Sequence, residues 1–341
     1  MLRIMLLLSV NCLIIFHSLQ AKTLLVPDNY PLVQNAVLKS AEGDTILIAP
    51  GTYREQVKIK DKSITLASYL LRDGNPDYIT KTILDGGGLD QAVIDIDGSG
   101  TVNLIGLTIT NGDDGIYTRS RMNIINCWIH STKDGIDFES GSGGILANCL
   151  IEHNIDDAVD MDEDVDLVIE NNILADNDDD GIEIRLHPWM GHQLDIIIRN
   201  NIISRNGEDG IQFIGYNTPS NRHFTIEKNL IEGNEMAAVA CMNDSNTVED
   251  FRGASLTERV LLRDNIISGE YGIVGGDSMI VEDNFIFNCS ENPLKNVDGG
   301  SILRGNILWN NKKPIEACNK DALMLNGKPN LSGRPGIKNR R

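Results

Sequence analysis

The chain repeats one pattern of apolar and polar positions between about residues 101 and 309. Each unit has a short apolar run, an Asn, two or three more apolar residues, a polar turn, and acidic residues before Gly-Ile. Successive units read NIINCWIHSTKDGIDF, ILANCLIEHNIDDAVDM, LVIENNILADNDDDGIEI and IIIRNNIISRNGEDGIQF. Six equivalent positions are spaced by 20, 23, 23, 29 and 28 residues: Ile116, Ile136, Val159, Ile182, Ile211 and Val239. A period of roughly 20 to 50 residues predicts a solenoid.

The apolar runs within each unit are typical of β-strands. They are short, β-branched and bounded by Asn or Gly, as at 168–169, 196–198 and 202–203. A helical repeat would need amphipathic stretches of roughly 10 residues or more, and this region has none. A coil of 20 to 23 residues suits three short strands, which stack on the next coil about 4.8 Å away. The pattern therefore predicts an all-β fold, a parallel β-solenoid.

An Asn column recurs in the units, and we interpret it as structural. Asn tolerates a left-handed backbone at a turn, and its amide can bond the equivalent Asn in the coils above and below. The column is Asn172, Asn201, Asn229, Asn265, Asn284 and Asn306.

The N-terminal part, VPDNYPLVQNAVLKSAEGDTILIAPGTYREQVKIKDKSITLAS, resembles the opening of right-handed parallel β-helix proteins of the pectin-lyase-like superfamily. Residues 31–41 are predicted to form an amphipathic helix, with Leu32, Val33, Ala36, Val37 and Ala41 on one face. Such a helix would cover the open end of the solenoid, where strand edges are otherwise unpaired.

Three segments are expected along the chain. Residues 1–21 have an early Arg3, an apolar run from Ile4 to Phe16 and Ala21 at the end, which predicts a cleaved signal peptide, too short to be an anchor. Residues 22–325 form the β-helix domain. Residues 326–341 are rich in Gly, Pro and basic residues and are expected to be a loosely ordered tail. We expect export, to the periplasm, the cell surface or the medium, and no membrane span.

The formal net charge of −19 limits the partners. Nucleic acids and anionic membranes are recognised by basic surfaces, so they are not expected partners. The same charge opposes binding of a polyanionic sugar unless a divalent cation intervenes. We expect a monomer whose partner is a polysaccharide.

The cysteines indicate no fixed disulfide framework. Five remain after residue 21, an odd number. Cys127 and Cys149 occupy equivalent places in adjacent coils, where either a disulfide or two stacked thiols would fit.

Aligning the units on Gly-Ile gives columns of acidic residues. The turn column is Asp114, Asp134, Asp157, Asp180 and Asp209, and the strand column is Tyr117, Asp137, Asp160, Glu183 and Gln212. The next outward column is Arg119, Glu139, Asp162 and Arg185. If Ile136 and Phe138 point inward, the strand column points outward.

Stacked carboxylates repel each other by about 1 kcal/mol per pair in water and by more at lower dielectric. Three resolutions are open: the groups are solvated at turns, they share protons, or they hold Ca²⁺, which takes roughly 6–8 oxygen ligands. Acidic residues within strands favour the last, so we predict a Ca²⁺ site with these ligands: Asp137, Asp157, Asp160, Asp180 and Glu183.

Three coils are lengthened just after this face, at 185–193, 215–223 and about 241–258. Because the insertions follow equivalent strands, they are predicted to project side by side and to wall the acidic face. Five aromatic, imidazole or guanidinium side chains are predicted to bind sugar. Arg119 lies on the acidic face, and the others lie in the insertions: Trp189, Tyr216, Arg222 and His223.

This layout resembles the polysaccharide lyases of the β-helix class. The resemblance implies that Ca²⁺ bridges protein and uronate carboxylates, and that a basic residue removes the proton beside the uronate carboxylate. Arg185, with His187 beside it, is the candidate base, and Lys133 and His192 are the alternatives. The Arg-x-Pro-x-x-Arg signature of the main pectate lyase family is absent.

Two other interpretations stay open. Partial echoes of polygalacturonase motifs at 133–137, 179–181 and 191–193 allow a metal-independent glycoside hydrolase, in which Asp160 with Asp180 or Glu183 supplies acid and base. A non-catalytic polysaccharide-binding or structural β-helix is the third, since fold alone does not give function.

Overall fold

The computed structural model describes residues 21–318 and 331–333, apart from 89, 217, 219, 244–255 and 257. Within these residues, three long sheets of parallel strands run the length of the molecule. Each coil contributes one strand to each sheet in turn. We number the sheets in the order in which a coil visits them from Ile116 onward.

The bounds of the strands follow the repeat. Sheet 1 contains β4 (Val57–Lys60), β7 (Ile94–Asp97), β10 (Ile116–Thr118), β13 (Ile136–Phe138), β16 (Val159–Met161), β19 (Ile182–Leu186), β22 (Ile211–Gly215), β25 (Ala237–Asn243), β28 (Tyr271–Val274) and β31 (Leu294–Lys295). Sheet 2 contains β1 (Thr23–Val26), β2 (Thr45–Ile48), β5 (Thr65–Ser68), β8 (Thr101–Ile105), β11 (Arg121–Ile125), β14 (Gly143–Ala147), β17 (Asp166–Glu170), β20 (Trp189–Arg199), β23 (Ser220–Glu227), β26 (Arg259–Arg263), β29 (Met279–Glu282) and β32 (Ile302–Arg304). Sheet 3 contains β3 (Gly51–Arg54), β6 (Thr82–Asp85), β9 (Thr108–Thr110), β12 (Trp128–His130), β15 (Leu150–Glu152), β18 (Ile173–Ala175), β21 (Ile202–Ser204), β24 (Leu230–Glu232), β27 (Ile266–Ser268), β30 (Phe285–Phe287), β33 (Ile307–Trp309) and β34 (Leu331–Gly333). The helices are α1 (Val33–Lys39), α2 (Leu70–Asp73) and a 3₁₀ turn at Pro76–Tyr78.

The strand register confirms the alignment of the repeats. Ile116 pairs with Ile136, Ile136 with Val159, and Ile211 with both Ile182 and Val239. These side chains are fully buried and belong to one continuous core that fills the solenoid. A single coil could not bury its apolar face, so the stack is the unit that folds.

The Asn column is buried and hydrogen-bonded as predicted. Asn201, for example, donates from Nδ2 to Asn229 Oδ1 at 3.0 Å and accepts at Oδ1 from the backbone N–H of Asn172 at 2.9 Å. The left-handed backbone, however, belongs to the preceding residue, as at Asn171 and Asn200 with φ of 58° and 56°. The column itself satisfies the buried backbone groups of the turn.

Helix α1 covers the first turn of the solenoid, within the predicted range 31–41. It buries Val33, Ala36 and Val37. Gln34 accepts the backbone N–H of Lys58 at 2.6 Å and donates to its carbonyl at 3.1 Å, so it takes the place of a missing strand beside β4. Glu55 accepts the N–H groups of Val33 and Gln34, both at 2.8 Å, and closes the helix N-terminus.

The ends of the chain bear on three further expectations. The predicted signal peptide lies outside the described residues except for Ala21. Of the predicted tail, only Leu331–Gly333 is described, and it pairs with β33. No helix among the described residues is long and apolar enough to cross a membrane.

Cys127 and Cys149 are free buried thiols, and the N–H of Cys127 points at Cys149 Sγ at 3.4 Å.

Candidate functional site

The strand column lies on the outer face of sheet 1, in adjacent strands. Asp137 pairs with Asp160, and Asp160 pairs with Glu183. Their neighbours Ile136 and Phe138 are fully buried, so the period-2 alternation turns the carboxylates outward. Even so, Asp160 and Glu183 are only 7% and 9% exposed. The sheet thus presents carboxylates that are largely withdrawn from water.

Arg185 is the cation at the centre of this face. Its guanidinium donates to Asp160 Oδ2 at 2.6 Å, forms an ion pair with Glu183, and lies 3.5 Å from Asp162 Oδ1. Burial alone would lower the pKa of Arg185, but these three carboxylates raise it well above its usual range. A guanidinium held in this way does not release its proton, so the structure argues against Arg185 as the base and assigns it to charge neutralisation.

Burial and mutual repulsion raise the pKa values of the carboxyls. Burial, followed by Asp160 and Asp114, raises the pKa of Asp137 to about 8. Burial raises the pKa of Asp160 to about 6, with Arg185 opposing the shift. Burial and Asp160 raise the pKa of Glu183 to about 8. Near neutral pH, carboxyls of this face therefore keep their protons unless a metal cation binds in their place.

Three of the five predicted metal ligands meet at one point. Asp157, Asp160 and Glu183 are buried and each places an oxygen within 4.8 Å of the others. Asp160 Oδ1 is buried and has no hydrogen-bond partner in the described chain, and the same holds for Asp137 Oδ1 one coil away. Buried oxygens without donors fit a hard cation such as Ca²⁺. We call Asp157, Asp160 and Glu183 the carboxylate triad.

Asp180 joins a different group. Its oxygen lies near those of Asp179 and Glu208, in the turn that leads from sheet 3 to sheet 1. Lys133 lies in an earlier copy of that turn, with Nζ 2.9 Å from Asp134 Oδ2 and 3.1 Å from Asp156 Oδ2. Burial lowers the pKa of Lys133, but these two carboxylates outweigh that effect and raise it. Lys133 is therefore a poor base.

From Asp134 onward the turn column is buried and not solvated, which removes solvation at the turns as the resolution for these residues. Asp134, Asp157, Asp180 and Asp209 are at most 5% exposed. Each Oδ1 accepts a backbone N–H of the next coil, as from Asp180 to Asp157 at 2.9 Å and from Asp209 to Asp180 at 2.7 Å. Burial raises the pKa of Asp157 and of Asp180. These residues are primarily structural, and among them Asp157 also belongs to the carboxylate triad.

The first two insertions stand side by side, as predicted. Strands β20 and β23 extend beyond their neighbours, and Trp189 pairs with Ser220. Asn221 donates to the Gly191 carbonyl at 3.2 Å, which links the first two insertions, and Ser220 bonds Glu258 at the end of the third. Most of the third insertion lies outside the described residues.

His187 and Tyr216 come from the first two insertions and lie together beside Asp162. Their rings stack with centroids 4.1 Å apart, and His187 Nε2 lies 3.9 Å from Asp162 Oδ1. His187 is half-buried. Among the predicted catalytic residues, His187 has the most suitable surroundings for proton transfer.

Arg222 and His223 are not placed as predicted. Arg222 is 3% exposed and donates to the backbone carbonyls of His187, at 2.8 Å, and Glu163. It positions the His187 segment and is withdrawn from the surface. His223 lies on sheet 2, with Nδ1 3.8 Å from Asp195 Oδ1, away from the acidic face. The sequence analysis assigned both residues to a loop, whereas both lie within strand β23.

The remaining predicted residues lie around the face. Trp189 donates to the His192 carbonyl at 2.8 Å and packs partly on the core, with His192 exposed beside it. Arg119 stacks over Tyr117 at 4.6 Å and lies 3.5 Å from Glu139. Beyond Tyr117 the face continues into a cleft of about 250 Å³ whose lining includes Lys58, Asp95 and Asp114.

Comparisons with known proteins agree with this architecture. A family model described as the right-handed beta helix region matches residues 92–252. Among solved structures, the A-module of mannuronan C-5 epimerase AlgE4 from Azotobacter vinelandii matches with a TM-score of 0.55 and 16% identity, over 79% of each chain. Pectate lyase Pel9A matches with a TM-score of 0.55 and 14% identity, over 89% of this chain and 73% of that one. No curated protein matches the sequence.

The chain folds as a right-handed parallel β-helix. Similarity at 14–16% identity establishes the fold alone. The chemistry has to be argued from the acidic face.

Proposed function

We propose that the protein binds an acidic polysaccharide along the outer face of sheet 1 and cleaves it as a Ca²⁺-assisted uronate lyase. The observation that carries the proposal is the carboxylate triad: three buried carboxylates meet within 4.8 Å, and one buried oxygen of Asp160 has no hydrogen-bond partner among the described residues. The protein would be exported, because residues 1–21 have the pattern of a signal peptide.

The charge of the face defines the need for a cation. Arg185 supplies one positive charge against Asp160, Glu183 and Asp162, so the local balance stays negative. A uronate polymer carries one carboxylate per sugar and would be repelled. Ca²⁺ bound by Asp157, Asp160 and Glu183 would bridge these groups to the uronate carboxylate and acidify the neighbouring C–H.

The chain's own residues would complete an elimination. His187 takes the proton from the carbon beside the uronate carboxylate, and Asp162 stabilises the imidazolium that forms. The electron pair of that C–H bond forms the new double bond, the glycosidic C–O bond breaks, and the leaving oxygen takes up a proton. Tyr216 holds the His187 ring, Arg222 holds its backbone, and Arg185 keeps Asp160 and Glu183 in place.

A glycoside hydrolase is the second candidate, and the raised pKa values favour it. Asp137 and Glu183, with pKa values of about 8, would be protonated at neutral pH and could act as general acids beside the more acidic Asp160, whose pKa is about 6. This mechanism needs no metal.

The first test is a thermal melt of the mature protein in EGTA and then with Ca²⁺. We expect Ca²⁺ to raise the melting temperature of the native chain and to have no effect on the Asp160→Asn/Glu183→Gln variant. The control variant Asp166→Asn/Asp176→Asn removes one carboxylate from sheet 2 and one from the turn after β18, and it should respond like the native chain. Equal responses in all three proteins, or none in any, would exclude the triad as the cation site.

The second test is product analysis with polygalacturonate and alginate. A lyase produces an unsaturated uronate that absorbs in the ultraviolet, and His187→Ala should abolish it without lowering the melting temperature or the Ca²⁺ response. Reducing ends without ultraviolet absorbance, insensitive to EGTA, would favour the hydrolase. Retention on an immobilised polymer with no product would leave a binding protein and contradict both enzymes.

A further inference from the structure

A column of apolar side chains runs along the outer face of sheet 3, on the side of the molecule that the acidic face does not use. The residues pair directly from coil to coil. We call them the apolar stripe: Trp128, Leu150, Ile173, Ile202, Leu230, Ile266, Phe285 and Ile307. None is buried, and Ile173, Ile202, Ile266 and Ile307 are 41%, 39%, 46% and 42% exposed.

The stripe is unusual for a surface facing water. Five of the eleven exposed large apolar residues in the described chain lie on this one face, counting Trp309 beside Ile307. Eight side chains at about 4.8 Å spacing make a flat band roughly 34 Å long. Its apolar area, on the order of 500 Å², reaches the upper end of what a monomer exposes and is typical of an interaction surface.

A ladder of alternating charges borders the stripe on the sheet 2 side. Each charged residue precedes a stripe residue by three positions and pairs with the next in register. This charge ladder is Glu170, Arg199, Glu227, Arg263, Glu282 and Arg304. Within one chain it forms the ion pairs Arg199–Glu170, Arg263–Glu227 and Arg304–Glu282.

The alternation makes the surface complementary to itself. A two-fold axis that runs parallel to the strands, between the coils of Leu230 and Ile266, reverses the order of the six coils. Under that reversal the first ladder residue meets the sixth, the second meets the fifth, and the third meets the fourth, and every such pair joins an acid to a base. The stripe residues of the same coils meet only apolar partners: Ile173 with Ile307, Ile202 with Phe285, and Leu230 with Ile266.

We infer that two copies of the chain associate face to face through sheet 3 in this antiparallel, two-fold arrangement. Sheets pack in this way at about 10 Å, and such an interface closes on itself and stops at a dimer. Covering the stripe and its borders on both copies would bury roughly 1,200 to 1,600 Å² in total, the size of a stable specific interface. The dimer replaces our expectation of a monomer and does not depend on the proposed lyase activity, because the acidic face of each copy stays open.

The dimer is tested by measuring molar mass in solution. Light scattering after gel filtration, from about 1 to 100 µM, should give twice the mass of the mature chain at the upper concentrations. The mass of a single chain over the whole range would overturn the inference, whether the stripe is then covered by the chain's own C-terminal residues or by another molecule.

Substitutions locate the interface. Ile202→Lys/Ile266→Lys places two charges in the centre of the stripe and should give a monomer with the melting temperature of a folded β-helix. The matched control, Ile145→Lys/Ile155→Lys, changes two exposed isoleucines elsewhere, 39% and 70% exposed, and should remain a dimer. A dimer in the first variant, or a monomer in the control, would place the contact elsewhere and contradict the inference.

Cross-linking tests the direction of packing. In a Cys318→Ser background, which removes the half-exposed thiol, a Leu230→Cys residue would lie one coil from its counterpart and should link rapidly with a short bifunctional reagent. An Ile173→Cys residue would lie five coils, about 24 Å, from its counterpart and should not link. Linking of both residues would indicate parallel packing, and linking at Ile173 alone would indicate another register; either result would overturn the antiparallel arrangement.

Discussion

Arg185 compensates the carboxylates of the acidic face, which would otherwise repel each other in the folded state. It contacts Asp160, Glu183 and Asp162, which lie on two successive coils, and it is one-third exposed. Carboxylates directly opposite each other on neighbouring strands repel, and the repulsion grows as they are withdrawn from water. A guanidinium can answer several carboxylates at once because its donors spread over a planar fork.

Replacing Arg185 by Met should therefore destabilise the protein strongly. Removing one partner of a largely buried ion pair leaves the other charges uncompensated, and we expect a loss of about 3 kcal/mol in the free energy of unfolding at pH 7.5. Urea denaturation in EDTA measures it. The loss should shrink at pH 5, because the freed carboxyls can then take up protons.

The matched control is Arg121→Met. Its ion pair with Asp166 is 53% and 42% exposed, so the expected loss is below about 1 kcal/mol. Equal losses in the two variants would mean that Arg185 contributes no more than an ordinary surface ion pair.

At the scale of an element, the turn between sheets 2 and 3 is built by hydrogen bonds between side chains and backbone. The Asn column runs from Asn172 to Asn306, and in the earlier coils Cys127 and Cys149 occupy the same place. The turn column does the same work between sheets 3 and 1 with Asp oxygens. Both columns replace ladder bonds where the chain changes direction.

Asn201→Ala should be costly for this reason. Asn201 accepts the N–H of Asn172 and donates to the carbonyl of Ile169 at 2.9 Å, so Ala leaves buried groups of two coils without partners. At about 1–3 kcal/mol per lost partner, we expect a loss of at least about 3 kcal/mol by urea denaturation.

A half-buried amide is the comparison for Asn201. Asn123 donates to Asn103 Oδ1 at 2.8 Å on the outer face of sheet 2, where water can replace it. Asn123→Ala should cost about 1 kcal/mol or less. If Asn201→Ala costs no more than that, the Asn column does not support the turns.

At the scale of the whole molecule, the net charge of −19 is unevenly placed. Carboxyls with raised pKa values gather on sheet 1 and the turn before it, whereas sheet 2 balances its acids with Arg in the charge ladder. The outer face of sheet 1 is therefore prepared for a cation, whereas the outer face of sheet 3 carries the apolar stripe.

This distribution predicts how stability depends on pH in the absence of metal. Asp137 and Glu183 keep a proton in the folded state up to about pH 8, while in the unfolded chain they ionise near about pH 4. Between these values the folded state binds more protons, so the free energy of unfolding falls as pH rises. In EDTA, the melting temperature should drop by on the order of 5 °C from pH 5 to pH 8.5.

The variant Asp137→Asn/Glu183→Gln should flatten that dependence, and the control Asp166→Asn should not. A melting temperature that rises over the same range in the native chain would show that the carboxyls are ionised and compensated in the fold. Added Ca²⁺ should also flatten the fall if the proposed function is correct, because the ion takes the place of the protons.

Much of this protein was determined by the sequence itself. A short repeat forces each residue type onto one column, so Ile116 with Ile136, Asp137 with Asp160, and Asn201 with Asn229 could be aligned from spacing alone. The capping helix was readable from its apolar face, and the paired insertions were readable from their position after equivalent strands.

Tertiary structure decided what the columns do, because burial, charge balance and the reach of side chains depend on neighbours in space. It showed the turn aspartates buried, fixed Arg185 among carboxylates where a free base would be needed, and placed Arg222 against the backbone of His187. It also aligned Ile202 and Ile266 on an outer face. Periodicity defines a residue's column, but only the packed coils define whether water, another side chain or a second molecule meets it.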